Sequence, residues 1–97
     1  MLIDFHCHSL ASDGALAPQA LLERAHRNGI RMLAITDHDT VAGYRQAAQL
    51  VAARQRHPQL VPGVEFSCRW SGTTVHIVGL GMDVEHPAMV QGEAEMA

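Results

Sequence analysis

An α/β fold on a parallel sheet is the architecture this sequence predicts. Three observations carry it: strand-like and helix-like segments alternate, the second strand is apolar almost throughout, and polar residues collect at strand ends. The order strand, helix, strand, helix, strand calls for right-handed crossovers, and in such folds function gathers at the C-terminal ends of the strands.

The first strand is expected over residues 2–8, where types alternate with period two: Leu2, Asp4, His6 and His8 share one face, and Ile3, Phe5 and Cys7 the other. Residues 9–15 contain Ser-Asp-Gly and read as a loop. Pro18 suits a first helical turn and Gly29 a helix end, which gives a helix over 18–28 whose N-cap, Ala17, has no oxygen to offer. Residues 31–36 form an apolar run suited to a strand covered on both faces, and it delivers Asp37-His38-Asp39 at its end. Thr40 can cap a second helix in which Tyr44, Ala47, Ala48 and Val51 fall at helical spacing, with Pro58 as its stop. Residues 60–69 and 73–80 alternate like strands around Trp70-Ser71-Gly72, a hairpin or short connection. After Gly81 the pattern fades, and residues 83–97 start a helix without finishing one. No internal repeat or low-complexity segment is present.

Composition limits the function classes. The 97 residues are 47% hydrophobic and carry a formal charge of -3, as one compact unit would. A chain this short buries only ~60 to 65% of its unfolded surface, so a metal, a partner or more chain is expected to contribute to stability. The seven Lys and Arg are scattered, which argues against a surface that wraps nucleic acid and leaves only local nucleotide contacts. No apolar run approaches the ~18 residues of a membrane span, and Met1-Leu2-Ile3-Asp4 lacks signal-peptide character, so a cytoplasmic location is expected. Cys7 and Cys68 are too few for a disulfide scaffold and read as reduced thiols, Cys68 packing beside Val64 and Phe66. Seven histidines, several beside acidic residues, are the composition of a metal site.

Two histidines at i and i+2 on a strand project from one face about 6.5 to 7 Å apart, close enough for both imidazoles to reach one ion. His6 and His8 have that spacing. Asp13 sits in a glycine-containing loop that can fold back over the strand end, and His38, Glu65 and His76 add two imidazoles and a carboxylate. His6 and His8 end the first strand, His38 the second, and Glu65 is expected near the end of the third. Nitrogen and oxygen donors together suit Mn2+, Zn2+ or Fe2+ better than calcium or magnesium. A carboxylate such as Glu65 can also bridge ions. Ions about 3.5 to 4 Å apart can clamp a phosphate and lower the pKa of an attacking water, which points to hydrolysis of a phosphate ester.

Each residue also has a plainer reading. A lone His-x-His arises by chance, Asp13 suits a turn, and Asp37 and Asp39 can cap the following helix. His76 alternates with Val75 and Ile77 as an exposed strand residue would, and Glu65 can face solvent. His26 and His57 read as helix-surface residues and His86 as loop, so none of the three joins the candidate site.

In order and spacing, the segments Phe5-His6-Cys7-His8-Ser9, Ser12-Asp13-Gly14, Ile35-Thr36-Asp37-His38-Asp39, Pro62-Gly63-Val64-Glu65-Phe66-Ser67 and Val75-His76-Ile77-Val78-Gly79-Leu80 resemble the PHP family, named for polymerases and histidinol phosphatases. The resemblance runs to about Gly81. It implies the N-terminal part of a distorted (β/α)7 barrel, here about four or five strands and two main helices, holding two or three divalent metal ions. His6, His8 and Glu65 would hold one ion, Asp13 and His38 a second, and Glu65 with His76 a third. Asp37 would act from outside the ligand set, orienting a ligand or protonating a leaving group. The wording is most similar to the branch that removes the 3'-phosphate from nucleoside 3',5'-bisphosphates, whose relatives also degrade short RNA from the 5' end.

The match has a limit that shapes the expectation. Family members carry further ligands downstream, and nothing after His86 supplies them. Residues 1–81 therefore read as the front of a phosphoesterase domain and 82–97 as the start of a further segment. A chain that stops there is expected to be weak or inactive alone, with an open sheet edge through which it can oligomerise. Two rivals remain: a noncatalytic PHP-like module that binds metal or a partner, and an amidohydrolase, where His-x-His also ends the first strand. Ser-Asp-Gly and Thr-Asp-His-Asp argue against the second.

Overall fold

The computed structural model describes residues 2–52 and 58–96; His57 lies outside them. Its elements are β1 (Leu2–Cys7), α1 (Pro18–Arg27), β2 (Ile30–Ile35), α2 (Ala42–Ala52), β3 (Gln59–Val61), β4 (Gly63–Trp70), β5 (Thr73–Leu80) and α3 (Pro87–Met96). The first three strands form a parallel sheet in the order β1-β2-β3, and β4 pairs antiparallel with β5. The expected β-α-β-α-β alternation and parallel sheet are both present.

The core lies where α1 and α2 cover the sheet. Leu22 and Ala25 of α1 meet Leu33 and Ile35 of β2 and Ala47 of α2, with Cys7, Leu21, Ile30, Leu50, Val51 and Leu60 packed around them. Burial falls on these positions because i, i+3 and i+4 residues share a helix face. Ala17 makes no side-chain cap, and Pro18 starts α1 where a missing N–H costs nothing. Gly29 ends the turn at φ 74, a left-handed backbone that glycine adopts without strain. Thr40 serves α2 as expected, its Oγ1 accepting the N–H of Ala42 at 3.1 Å.

Several expectations need correction. The single strand expected over 60–69 is two strands in different sheets. Pro62 has no N–H for a ladder, and Gly63 is buried so tightly that a Cβ there would lie 2.8 Å from Thr36 Cγ2. The chain therefore steps from β3 beside β2 to β4 beside β5. β1 stops at Cys7 with a register irregularity between Asp4 and Cys7, so His8 lies just past the strand. Ile3 and Phe5 are exposed on β1, which lies at an edge of its sheet. The tail does finish a helix, α3, a third beyond the two main helices expected. His86 is loop, as read, and lies just ahead of α3, where its Nδ1 accepts the N–H of Ala88 at 3.1 Å.

The hairpin reading holds. Ser71 (φ 50) and Gly72 (φ 78) are both left-handed, as a two-residue turn twisted to match its strands requires. α3 is tied to the segment just before α2, where Glu93 Oε2 accepts the N–H of Val41 at 2.6 Å and the hydroxyl of Thr40 at 3.1 Å. No helix among the described residues is long and apolar enough to cross a membrane.

Candidate metal centre

The candidate ligands meet because three backbone devices bring remote segments to one rim. Past the end of β1, Ser9 O accepts the N–H groups of Ser12 (3.1 Å) and Gly14 (2.8 Å), which curls loop 9–14 back over the strand. Gly14 lies so close to the strand end that a Cβ would sit 2.1 Å from the His8 carbonyl oxygen. No other residue fits there, and Asp13 is turned toward His8 as a result.

Past β2, the backbone around His38 pairs with the start of β4 in an isolated parallel bridge to Glu65. Glu65 N–H donates to Asp37 O at 2.9 Å, and Asp39 N–H donates to Glu65 O at 3.0 Å. Glu65 is thus the third residue of β4, not the end of a third parallel strand. Asp39 holds a left-handed backbone (φ 57), and its Oδ1 accepts the N–H of Ser67 at 2.8 Å. The antiparallel register then sets His76 opposite Ser67, diagonal to Glu65 on the same face.

All six expected ligands converge. His6 Nε2 lies 2.6 Å and His8 Nε2 3.0 Å from Glu65 Oε1; His76 Nδ1 lies 3.2 Å and His38 Nδ1 3.7 Å from Glu65 Oε2. Asp13 spans the other side, with Oδ1 2.6 Å from His8 Nδ1 and Oδ2 3.1 Å from His38 Nε2. The rings of His8 and His38 meet edge to face, with centroids 4.4 Å apart. Glu65 is the buried floor of this bowl, while the His6 and His76 side chains are about half exposed and that of Asp13 more so.

The electrostatics fit a cation. Burial alone would raise the Glu65 carboxyl, yet hydrogen bonds with His6 and His8 and the nearby His38 bring it below its ordinary value. Asp13 is lowered, first by its hydrogen bond with His8. For His8, burial pulls the pKa down, and hydrogen bonds with Asp13 and Glu65 overcome that pull so that the net shift is upward. Three groups of donor atoms each lie within 4.8 Å of one another: His6, His8 and Glu65; His8, Asp13 and His38; His38, Glu65 and His76. Many of these separations are roughly 3 Å, as between two ligands on one ion at about 2.1 Å. The groups adjust the expected partition by adding His8 to the second set and His38 to the third.

Asp37 is a different case. It is 1% exposed and belongs to none of the three groups. Its Oδ1 accepts the N–H of Ser9 (2.6 Å) and the hydroxyl of Ser12 (2.8 Å), and its Oδ2 accepts the hydroxyl of Ser9 (2.6 Å). Buried and hydrogen-bonded through both oxygens, it ties Ser9 and Ser12 to the end of β2. It caps no helix. Ser9, Ser12 and Gly43 are the residues that sequence reasoning passed over. Their signal was present in the small residues on either side of the Asp13 and Asp37 segments.

Beside His38 a cleft of about 600 Å³ is lined by Ala11, Asp39, Thr40, Val90, Glu93 and Ala94. A more apolar hollow of about 480 Å³, with Phe66, Met82, Met89 and His86 among its walls, lies between β4 and α3.

The chain is similar to proteins already known. The chain is 49% identical over 86 residues to a 5'-3' exoribonuclease of Haemophilus influenzae, covering 89% of this chain and 31% of that protein. It is 47% identical over 90 residues to a 3',5'-nucleoside bisphosphate phosphatase of Chromobacterium violaceum, covering 93% of this chain and 31% of the relative. It therefore spans about a third of the length of these relatives. A solved structure described as an amidohydrolase from C. violaceum, with bound sulfate and no metal, superimposes with a TM-score of 0.87 at 43% identity, covering 98% of this chain and 33% of that one. The model of the PHP domain matches residues 4–91. With that match over nearly its whole length, the chain belongs to the PHP domain family.

Proposed function

We propose that the protein carrying this chain is a metal-dependent phosphoesterase that hydrolyses phosphate monoesters of small nucleotides. The 3'-phosphate of nucleoside 3',5'-bisphosphates is the proposed substrate group, with short RNA as a further one. The observation that carries the reading is the buried Glu65 carboxylate ringed by His6, His8, His38 and His76. The chain spans 31% of the length of each of these two relatives, so the activity is proposed for the whole protein.

Two or three Mn2+, Zn2+ or Fe2+ ions bound there would neutralise the phosphate and lower the pKa of the attacking water. His6, His8 and Glu65 are the proposed holders of one, Asp13 and His38 with His8 of a second, and Glu65 and His76 with His38 of a third. Glu65 and Asp13 by themselves would repel a phosphate, so the bowl accepts that anion only when cations outweigh its carboxylates. Asp13 stays ionised well into the acid range and serves as a hydrogen-bond acceptor at the rim. On the monoester, water attacks phosphorus and gives up a proton, the ester P–O bond breaks, inorganic phosphate departs, and the alkoxide takes that proton and leaves as the alcohol; on short RNA the same attack breaks a diester P–O bond and releases a nucleotide.

The relatives named as a bisphosphate phosphatase and an exoribonuclease support this substrate class. A cytoplasmic location belongs to the same proposal. Nothing in these comparisons or among the described residues supports the oligomer expected from an open sheet edge. A second reading, hydrolysis of an amide, is favoured by one observation, the solved structure described as an amidohydrolase. Release of phosphate from a nucleoside 3',5'-bisphosphate, measured against a panel of amide substrates with and without Mn2+, separates the two. Turnover of amides alone would overturn the phosphoesterase reading.

A further inference from the structure

We propose that Asp37, Ser9, Ser12 and Gly43 form a positioning unit that fixes loop 9–14 so that Asp13 meets His8 and His38. This rests on the reading of Asp13 as a metal ligand, and it assigns a task to residues outside the three donor groups.

The unit starts from burial. Ser9 is 0% and Asp37 1% exposed, an expensive arrangement for a hydroxyl and a carboxylate unless each polar atom is matched. The matches come from loop 9–14. Asp37 takes the backbone N–H and hydroxyl of Ser9 and the hydroxyl of Ser12. Ser9 Oγ in turn accepts the N–H of Ala11 at 3.1 Å, and Ser9 O holds Ser12 and Gly14. Four consecutive positions, 11–14, are thus flanked by bonds that trace back to one buried carboxylate. Asp13, the exposed residue between Ser12 and Gly14, makes no hydrogen bond to Asp37 among the described residues; its carboxylate meets His8, His38 and its own backbone N–H.

Gly43 supplies the space. It is buried in the first turn of α2, and a Cβ there would lie 2.1 Å from Asp37 Oδ2 and 2.6 Å from Ser9 Oγ. A side chain would therefore fall on the hydrogen bond between those two atoms. The main chain of Asp37 does the complementary task for the other carboxylate, since its carbonyl accepts the N–H of Glu65. One residue thereby sets the spacing between Asp13 and Glu65, the two acidic groups of the bowl.

The test uses the intact protein and two readouts without metal: amide hydrogen exchange over loop 9–14, and the 15N chemical shifts of the His8 ring, which report its contact with Asp13. A third readout is a Mn2+ titration followed by electron paramagnetic resonance. Asp37→Asn and Ser12→Ala are expected to speed loop exchange by about tenfold while the exchange of β2 and α1 stays the same. Both should move the His8 ring signals in the direction that Asp13→Ala moves them. Both should also weaken, by roughly 10- to 100-fold, the same Mn2+ site that Asp13→Ala removes. Ser12→Thr, which keeps the hydroxyl, should restore all three. Ser12 is only half buried, so Ser12→Ala decides the matter if Asp37→Asn does not fold. Unchanged loop exchange and His8 signals in folded variants would overturn the unit, as would loss of a Mn2+ site other than the one that depends on Asp13. Absence of Mn2+ binding by the wild type would sink the metal reading instead, while the two metal-free readouts still decide whether the unit exists.

Discussion

His38 and Glu65 pair in an isolated parallel bridge, so the backbone that carries one imidazole is locked to the backbone that carries the central carboxylate. Side chains this close to one another are useful for chemistry only if their main chains cannot drift, and the bridge fixes them at the point where the parallel sheet gives way to the hairpin.

Glu65 lies within reach of four histidines and belongs to two of the donor groups, whereas His76 belongs to one. Glu65→Gln keeps the shape and removes the charge, so it is expected to lower the number of bound ions more than His76→Gln does. Elemental analysis of the purified variants checks this, and equal losses would refute a bridging role for Glu65.

Acid and base act oppositely on the metal-free bowl. Glu65 and Asp13 have lowered pKa values, so the stability they contribute is present above their ordinary values of 4.5 and 3.8 and is lost as pH falls below them. His8 has a raised pKa, so its contribution is full below 6.5 and is lost as pH rises through its folded value. Without metal, the cluster's contribution to stability is therefore expected to peak between about 4.5 and 6.5. Thermal melts in a chelator across a pH series from acid to mildly alkaline, compared with the same series for Asp13→Ala, read that contribution; identical pH profiles would contradict it.

Cys7 is raised to about 12, first by burial and then by Asp4 and Asp37. Its thiol donates to Ala34 O at 3.4 Å. At mildly alkaline pH the thiolate fraction is then roughly 1000-fold below that of a thiol at its ordinary value, so iodoacetamide should leave Cys7 unmodified in the folded protein and label it on unfolding. Peptide mapping after labelling shows the outcome. The sign for stability follows from the direction of the shift. A raised thiol pKa means that the neutral form suits the fold: below pH 9.0 it is neutral in both states, and above that value unfolding is favoured increasingly as pH climbs toward 12.

Two glycines in helices should respond in opposite directions. Gly43→Ala puts a methyl on the Asp37 and Ser9 contact and should destabilise by about 2 kcal/mol or more. At Gly92, in α3, an added methyl would meet nothing within 4 Å, and Gly92→Ala should stabilise by roughly 0.5 to 1 kcal/mol through helix propensity. Urea unfolding of the two variants gives both numbers.

The legible parts of this molecule were those written as local pattern. The apolar run before Thr36 read as a covered strand, Pro18 and Gly29 bracketed α1, and Ser71-Gly72 marked the hairpin turn. The candidate ligands were legible because strand ends in a parallel sheet share a rim, so His6, His8 and His38 had to be neighbours. What escaped depends on contacts between remote segments. The alternation of residues 60–69 continues through Pro62, and only the missing N–H and the crowding at Gly63 show that the strand changes sheets there. The completion of α3 was missed because its residues lack a clear apolar stripe, and Glu93 ties it to the segment just before α2 instead. Ser9, Ser12 and Gly43 look like loop and helix filler until the buried carboxylate of Asp37 gives each of them a partner or a reason to be small.

The metal-dependent phosphoesterase reading meets its most direct test in phosphate release from a nucleoside 3',5'-bisphosphate by the intact protein and its Glu65→Gln variant, each stripped with a chelator and then titrated with Mn2+. Stripping is expected to abolish turnover, Mn2+ to restore it in the wild type, and the variant to stay at least about 100-fold slower at saturating metal. Phosphate release that survives stripping, or that Glu65→Gln leaves unchanged, would contradict that reading.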